Sequence, residues 1–433
     1  MTGVKTYCVI GAGFSGLGIA KAFQEYGISF DVYEKNSDIG GNWLNGVYDS
    51  THIISPKKGT EFPDYPMPEH YPTFPTRKQV LDYLRSYADC FGLREFIRFS
   101  TEITQIKPKN HNNGRDGWLV YLGNGEIKEY TGVIIANGHH WDKKIPYYPG
   151  TFSGKTLHSK DYKNQSDIQG QRVLVVGAGN SGCDIAVETG NTGKTCFISM
   201  RRGYHFLPKT FFGFPVTEFD RAWMPVFAQK KILKLLLKVT HGSNARYGLP
   251  EPDHDLFDHH PILNSQLLYS IQHGRVRPKP DVLELGGNTV KFVDGTVEEI
   301  DTVVWATGFN ASFPFLDSKL LDWENGVPLR VGSVLPPNLA GLYFFGLVQP
   351  RGGAGPLIRE GTQLLAEMIL TQEKIKTPLV DLLIKFKPAS SRMFFGVQEV
   401  YRDLALAKLA LRWIRLSHRV RLEKKRLPEL NIG

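Results

Sequence analysis

The sequence predicts an α/β protein with two Rossmann-like dinucleotide-binding domains, the second inserted into the first. Three observations carry this reading. Gly11-Ala12-Gly13-Phe14-Ser15-Gly16 follows the apolar run 7–10 and opens a helical pattern. Gly177-Ala178-Gly179-Asn180-Ser181-Gly182 does the same after the run 173–176. The segments 133–138 and 301–309 are buried-strand patterns that each end in an Ala-x-Gly turn, so each half closes alike and the chain crosses between halves twice. One glycine fingerprint is a weak signal, but two on one chain imply two dinucleotides and electrons passing between them.

In order along the chain, residues 4–10, the first glycine turn and 17–26 read as strand, turn and helix. Residues 30–33 form the next strand, with Glu34 at its carboxyl end and Gly40-Gly41-Asn42-Trp43 following. The proline-dense stretch 56–75 reads as a long ordered loop, and 79–91 has helical spacing. Strands at 118–122 and 127–130 flank Gly123-Asn124-Gly125, a hairpin signal. Pro146 and Pro149 mark a linker, after which 171–200 repeats strand, glycine turn, helix and strand. A basic amphipathic helix is expected at 223–240 and a Gly/Pro/His-rich loop at 241–262. The expected domains are 1–145 (first dinucleotide-binding domain, first part), 146–305 (second dinucleotide-binding domain, with a helical insertion about 205–262), 306–385 (first dinucleotide-binding domain, second part) and a basic helical segment 386–433.

At 433 residues the chain can bury a substantial core, and its 41% apolar content holds no run of 18 apolar residues. The chain enters its first strand at once, which leaves no room for a signal peptide and suggests a cytoplasmic protein. Cys8, Cys90, Cys183 and Cys196 lack C-x-x-C spacing and read as reduced core residues. No metal is expected. The net charge of +9 is concentrated at 402–427, so a nucleic-acid partner is not expected.

The glycines of the first turn allow a tight bend and let a pyrophosphate approach the helix start, where free N–H groups favour an anion. Gly11, Gly13, Phe14, Ser15 and Gly16 are therefore candidate cofactor residues. Glu34, with Lys35 beside it, is placed where a carboxylate accepts both ribose hydroxyls and repels a 2′-phosphate, which suits FAD or NAD. Gly41, Asn42 and Trp43 offer a second close backbone approach and an aromatic wall. In the second unit, Gly177, Gly179, Asn180, Ser181 and Gly182 form the matching turn. The strand after it ends in Arg201-Arg202 with no acid, and two guanidinium groups suit the 2′-phosphate of NADPH. The Asn180 amide could reach the nicotinamide or ribose and is the candidate catalytic group; a local turn-capping role is the alternative.

Between the fingerprints lies Phe152-x-Gly154-x-x-x-His158-x-x-x-Tyr162. With the two glycine turns and Ala306-Thr307-Gly308-Phe309, this order of elements resembles the flavin-containing monooxygenases, over about 5–365 and including 61–69 and 349–363. The resemblance implies that NADPH reduces FAD, that O2 is captured as a flavin 4a-hydroperoxide, and that a small nucleophilic substrate is oxygenated at nitrogen or sulfur. It implies a linker role for the motif around His158, and it makes Gln363 a further cofactor candidate. Baeyer–Villiger oxygenases carry Trp and then Pro or Asp where this chain has Tyr162-Lys163, so ketone oxygenation ranks second, beside a weakly coupled NADPH oxidase. A disulfide reductase would need a cysteine pair, and intact fingerprints argue against a degenerate binding module. Many members carry Asn where this chain has Ile54, with Ser55 adjacent. Support for the peroxide would then fall to Asn180, backbone donors and bound NADP+, and hydrogen peroxide would leak. The stretch 398–427 is expected to dock on its own domain or on a second copy in a homodimer; weak contact with a membrane surface is the other reading.

Overall fold

The computed structural model describes residues 5–219, 224–259 and 261–422. They divide into two compact units: Met1–Asn45, Lys57–His139 and Ala311–Gly433 form the first, and Gly46–Pro56 with His140–Asn310 the second.

The first unit is centred on a five-stranded sheet in the order Leu342–Phe344, Gly132–Ile135, Thr6–Ile10, Ser29–Tyr33, Ile97–Arg98. All four pairings are parallel. Parallel strands need crossover connections, and the helix Phe14–Tyr26 supplies the first. The alternation within Thr6–Ile10 sorts its side chains between two cores. Tyr7 and Val9 pack with Leu17, Phe23, Ile358 and Leu365 on the helical face. Cys8 and Ile10 pack with Trp118, Val120 and Phe344 on the other. That second face is covered by an antiparallel sheet of Ile103–Pro108, Trp118–Leu122 and Ile127–Tyr130, the predicted hairpin plus one strand. The helix Arg77–Cys90 starts where Thr76 and Gln79 form a reciprocal cap.

The second unit repeats this plan. Its parallel sheet runs Lys155–His158, Thr302–Trp305, Arg172–Val176, Thr195–Ser199, Val276–Lys279. Val173, Val175 and Ile198 face the helical core, while Leu174, Val176, Phe197 and Trp305 face a second core beneath the strands Val282–Gly287 and Thr289–Phe292. In both sheets the glycine-bearing strand is central and the chain leaves it in opposite directions. That is the switch point where open α/β sheets bind ligands.

Several expectations change. Gly46–Pro56 belongs with the second unit, so the chain crosses between units four times where two crossings were expected. The cause is side-chain anchoring: Tyr48 Oη donates to Asp184 at 2.7 Å, Asn164 Nδ2 to Asp49 at 2.9 Å, and Ser50 Oγ to Glu188 at 2.9 Å. The proline-dense loop contains the one-turn helix Lys57–Thr60. Cys90 is exposed, so only Cys8, Cys183 and Cys196 are core cysteines. The helix Val397–Ser417 buries Ala410, Leu411 and Ile414 in its own unit and ties down with Lys408–Glu360 at 2.7 Å and Arg415–Glu367 at 2.9 Å. Residues 423–427 of that basic stretch lie outside the described residues, as does Trp223 ahead of the helix Val226–Thr240. Among the described residues no helix is long and apolar enough to cross a membrane.

Candidate functional site

The first glycine turn is shaped by backbone contact. Gly11 has φ +104°, and a Cβ there would stand 2.7 Å from the Ala136 carbonyl oxygen. A Cβ on Gly16 would stand 1.9 Å from the Gly11 oxygen, so both positions exclude any side chain. Gly13 precedes the helix in extended backbone and supplies no side-chain cap. The N–H groups that open the helix are thus left without a side-chain acceptor.

Glu34 is buried at this turn. Its Oε2 accepts from the Ala12 N–H at 2.8 Å, and its Oε1 accepts from the backbone and side-chain nitrogens of Asn36 at 2.9 and 2.6 Å. The carboxylate therefore staples the turn it borders, while Lys35 is exposed. The glycine pair approaches protein: the Gly40 N–H donates to the Ala12 carbonyl at 3.1 Å, and a Cβ on Gly41 would stand 3.1 Å from the Gly13 Cα. Asn42 begins the short helix Asn42–Asn45, and the Trp43 ring packs on the helical-face core. Phe14 packs on that core as well, 5.5 Å from Phe62 between ring centroids. Ser15 faces Gly346, where a Cβ would meet its Oγ at 2.5 Å. Gln363 is half-buried on the helix Gly355–Gln372, which packs against Gly18 through Ile358.

Sequence reasoning missed His139, Gly346 and Gln349, which meet at the carboxyl ends of two adjacent strands. His139 Nδ1 lies 3.1 Å from the Gly346 oxygen, and its Nε2 lies 2.7 Å from Gln349 Nε2. The amide can only donate, so Nε2 accepts and the proton sits on Nδ1. Burial pushes the His139 pKa down to about 4. The glycine that follows the strand Leu342–Phe344 was the available signal.

The second turn has the same backbone. Gly177 has φ +102° with the Ala306 oxygen 2.5 Å from a Cβ, and a Cβ on Gly182 would stand 2.0 Å from the Gly177 oxygen. Gly179 again provides no side-chain cap. Asn180 does not cap its own helix: its Oδ1 accepts from the Leu263 N–H at 2.9 Å and ties that loop to the helix start. Ser181 hydrogen-bonds Tyr48, whose partner Asp184 also accepts from Asn264 Nδ2 at 2.6 Å. Ile54 packs on the apolar cluster of Leu207, Phe211, Val216, Leu233, Leu256 and Leu263, and Ser55 beside it is half-buried. At the end of the strand Thr195–Ser199, Arg201 is exposed and Arg202 is half-buried, with its Nε buried and lacking a hydrogen-bond partner.

His158 uses both ring nitrogens structurally. Nδ1 accepts from the Lys160 N–H at 3.1 Å, so Nε2 donates to the Gly308 oxygen at 3.0 Å. This joins its strand to the Ala-x-Gly turn beside it.

The residues fit the two cofactors. Each turn has glycines that a Cβ would block and a helix start without a side-chain acceptor; one has a buried carboxylate, the other a guanidinium with an orphaned nitrogen. Such a chain is an oxidoreductase that carries a flavin and a nicotinamide dinucleotide. Its sequence matches the flavin-binding monooxygenase-like family over residues 4–377 and belongs to it. It is 33% identical to flavin-containing monooxygenase 5 of Oryctolagus cuniculus, over 93% of this chain and 78% of the relative. It is 32% identical to dimethylaniline monooxygenase [N-oxide-forming] 2 of Rattus norvegicus, over 82% and 71%. In fold it is similar to the NADP+-bound cyclohexanone monooxygenase of Rhodococcus sp. Phi1, at 16% identity and TM-score 0.72, over 98% of this chain and all of that one (100%). The protein is a flavin-dependent monooxygenase that uses FAD, NADPH and O2.

Proposed function

We propose that this enzyme transfers one oxygen atom of O2 to nitrogen or sulfur in small soft nucleophiles. The observation that carries this is the 32% identity to a relative named for N-oxide formation, sustained over 82% of the chain. Ketone oxygenation is the second reading, favoured by the likeness to cyclohexanone monooxygenase, which at 16% identity is one of fold.

In this reading the first unit holds FAD and the second NADPH. The helix start at Phe14, Ser15 and Gly16 takes the FAD pyrophosphate, and the Glu34 carboxylate takes the adenosine ribose. The helix start at Asn180 and Ser181 takes the NADPH pyrophosphate, and Arg201 and Arg202 take the 2′-phosphate. Because Asn180 Oδ1 is engaged by Leu263, its Nδ2–H group is what it offers the coenzyme, so the loop fixes the amide's orientation. Bound FAD supplies the redox chemistry that couples NADPH and O2 to oxygen transfer. The protein positions both cofactors and keeps bulk water from the reacting centre. His158 acts only through the turn it braces.

The test is NADPH consumption with product analysis across tertiary amines, thioethers and ketones. N-oxides or sulfoxides formed in step with NADPH are expected. Esters or lactones as the sole products would replace this reading with the second. Hydrogen peroxide as the sole product would make the enzyme an NADPH oxidase.

A further inference from the structure

The loop 251–259 of the second unit carries three aspartates, and each is matched to a partner other than Arg202. Asp255 pairs with Lys230 at 2.8 Å and Lys234 at 2.5 Å, and Asp258 with Lys230 at 3.3 Å. Asp253 Oδ1 accepts from His254 Nδ1 at 2.8 Å, and that bond holds its carboxyl below the usual range, with a smaller contribution from the Arg202 charge. Asp253 is turned to His254, whose ring meets His259 at 4.6 Å, and His259 in turn reaches Arg202 at 3.4 Å, so the aspartate lies one ring pair away from the guanidinium. Among the described residues no carboxylate lies within ion-pair distance of Arg202.

What Arg202 has are aromatic neighbours. Its Cζ stands 5.3 Å from the centre of the Tyr204 ring, and its Nη1 3.4 Å from His259 Nε2. His259 meets His254 edge-to-face at 4.6 Å, and His254 meets His205 at 5.2 Å. Burial, then the neighbouring guanidinium, pushes the His259 pKa down, which favours a neutral imidazole. Arginine has no acceptor, so Nε2 accepts and the His259 proton sits on Nδ1. A neutral acceptor orients a guanidinium without neutralising it.

We propose that His254 and His259 set the preference for a 2′-phosphorylated coenzyme: His254 by keeping Asp253 off Arg202, His259 by aiming the uncompensated guanidinium at the phosphate. This rests on Arg201-Arg202 being the phosphate site. An aspartate free to reach Arg202 would have to be displaced by a phosphate, which is also negative, whereas NAD+ makes no such demand. The two histidines are positioning residues.

The experiment is calorimetric titration of the FAD-loaded full-length enzyme with NADP+ and NAD+. His254→Phe frees Asp253 and should weaken NADP+ binding about fivefold with NAD+ binding unchanged. Adding Asp253→Asn to that variant should return the NADP+/NAD+ ratio to its starting value. His259→Phe should lower the ratio, and His259→Gln, which keeps an acceptor, should restore it. Loss of both coenzymes together would mark the histidines as merely structural and overturn the inference. So would failure of Asp253→Asn to rescue. Arg201→Ala and Arg202→Ala separate the two claims. If they collapse the ratio while the histidine variants leave it alone, only the inference falls. If they leave the ratio unchanged, the phosphate site itself is misassigned.

Discussion

Gly179→Ala separates what a glycine does for the fold from what it does for the coenzyme. Gly179 precedes the helix Asn180–Asn191 with φ −69° and ψ 175°, extended backbone that alanine adopts freely. A Cβ built there meets no atom within 4 Å. In the coenzyme-free enzyme the substitution therefore meets no clash, and the gain of about 0.4–1 kcal/mol from a stiffer unfolded chain is offset by alanine's poorer fit at this N-cap, so stability should change little. If the NADPH pyrophosphate lies against this turn, the same methyl group occupies its space. Forced overpacking of that kind costs about 1–3 kcal/mol, which weakens binding roughly five- to a hundredfold. Gly182→Ala is the contrasting case, because its Cβ would lie 2.0 Å from a backbone oxygen and must push helix from strand. Thermal unfolding without coenzyme and calorimetric titration with NADP+ read the two effects apart. Unchanged NADP+ affinity in Gly179→Ala would remove the phosphates from the turn. A clear drop in its unfolding temperature would refute the steric argument.

Three further outcomes are expected. Glu34→Gln should lower the flavin-to-protein ratio of the purified enzyme; Glu34→Ala should also lower the unfolding temperature, because the carboxylate staples Ala12 and Asn36, and full flavin occupancy in both variants would remove Glu34 from the ribose site. Ile54→Asn puts an amide against an apolar cluster and should cost about 1–3 kcal/mol of stability without reducing hydrogen peroxide release; a smaller leak at unchanged stability would place position 54 at the flavin edge. His139 has a folded pKa of about 4, below its unfolded value, so the unfolded chain takes up the proton first. Its contribution, about 3 kcal/mol, is present above roughly pH 6.5 and fades as pH falls towards 4, so the stability gap between wild type and His139→Gln should shrink across that window. A gap independent of pH would show that the residue does not titrate with folding.

Most of the secondary structure that frames the site was readable because it rests on local rules. Continuous apolar runs mark strands such as Thr6–Ile10 and Arg172–Val176, and the glycine spacings mark turns where a Cβ would strike backbone. What was not readable depends on partners distant in sequence. Nothing local in 46–56 says that Tyr48 will bond Asp184 and carry the segment into the second unit. Asn180 looks like a free amide until Leu263 is brought to it, and nothing local says that Trp43 packs on the helical-face core. His139 escaped notice because its partners, Gly346 and Gln349, lie more than 200 positions away.

The two turns are nearly the same object: φ is +104° at Gly11 and +102° at Gly177, and the third glycine of each fingerprint would place a Cβ 1.9 or 2.0 Å from the first glycine's oxygen. Identical backbones cannot choose between dinucleotides, so the choice has to lie in what borders them. At the end of the first unit's second strand stands Glu34, buried and already hydrogen-bonded to its own turn, so its charge is fixed beside the site. At the matching place in the second unit stand Arg201 and Arg202, with the loop 251–259 arranged so that no aspartate neutralises Arg202. In the proposed reading, a carboxylate held by its fold and a guanidinium left uncompensated by its fold are opposite solutions to one recognition problem. Swapping the side chains alone should therefore fail to exchange the two specificities. Arg202→Glu would exchange the favourable Arg202 charge that Asp253 feels for a repulsive one, and Glu34→Arg would lose the Ala12 and Asn36 bonds on which the first turn depends.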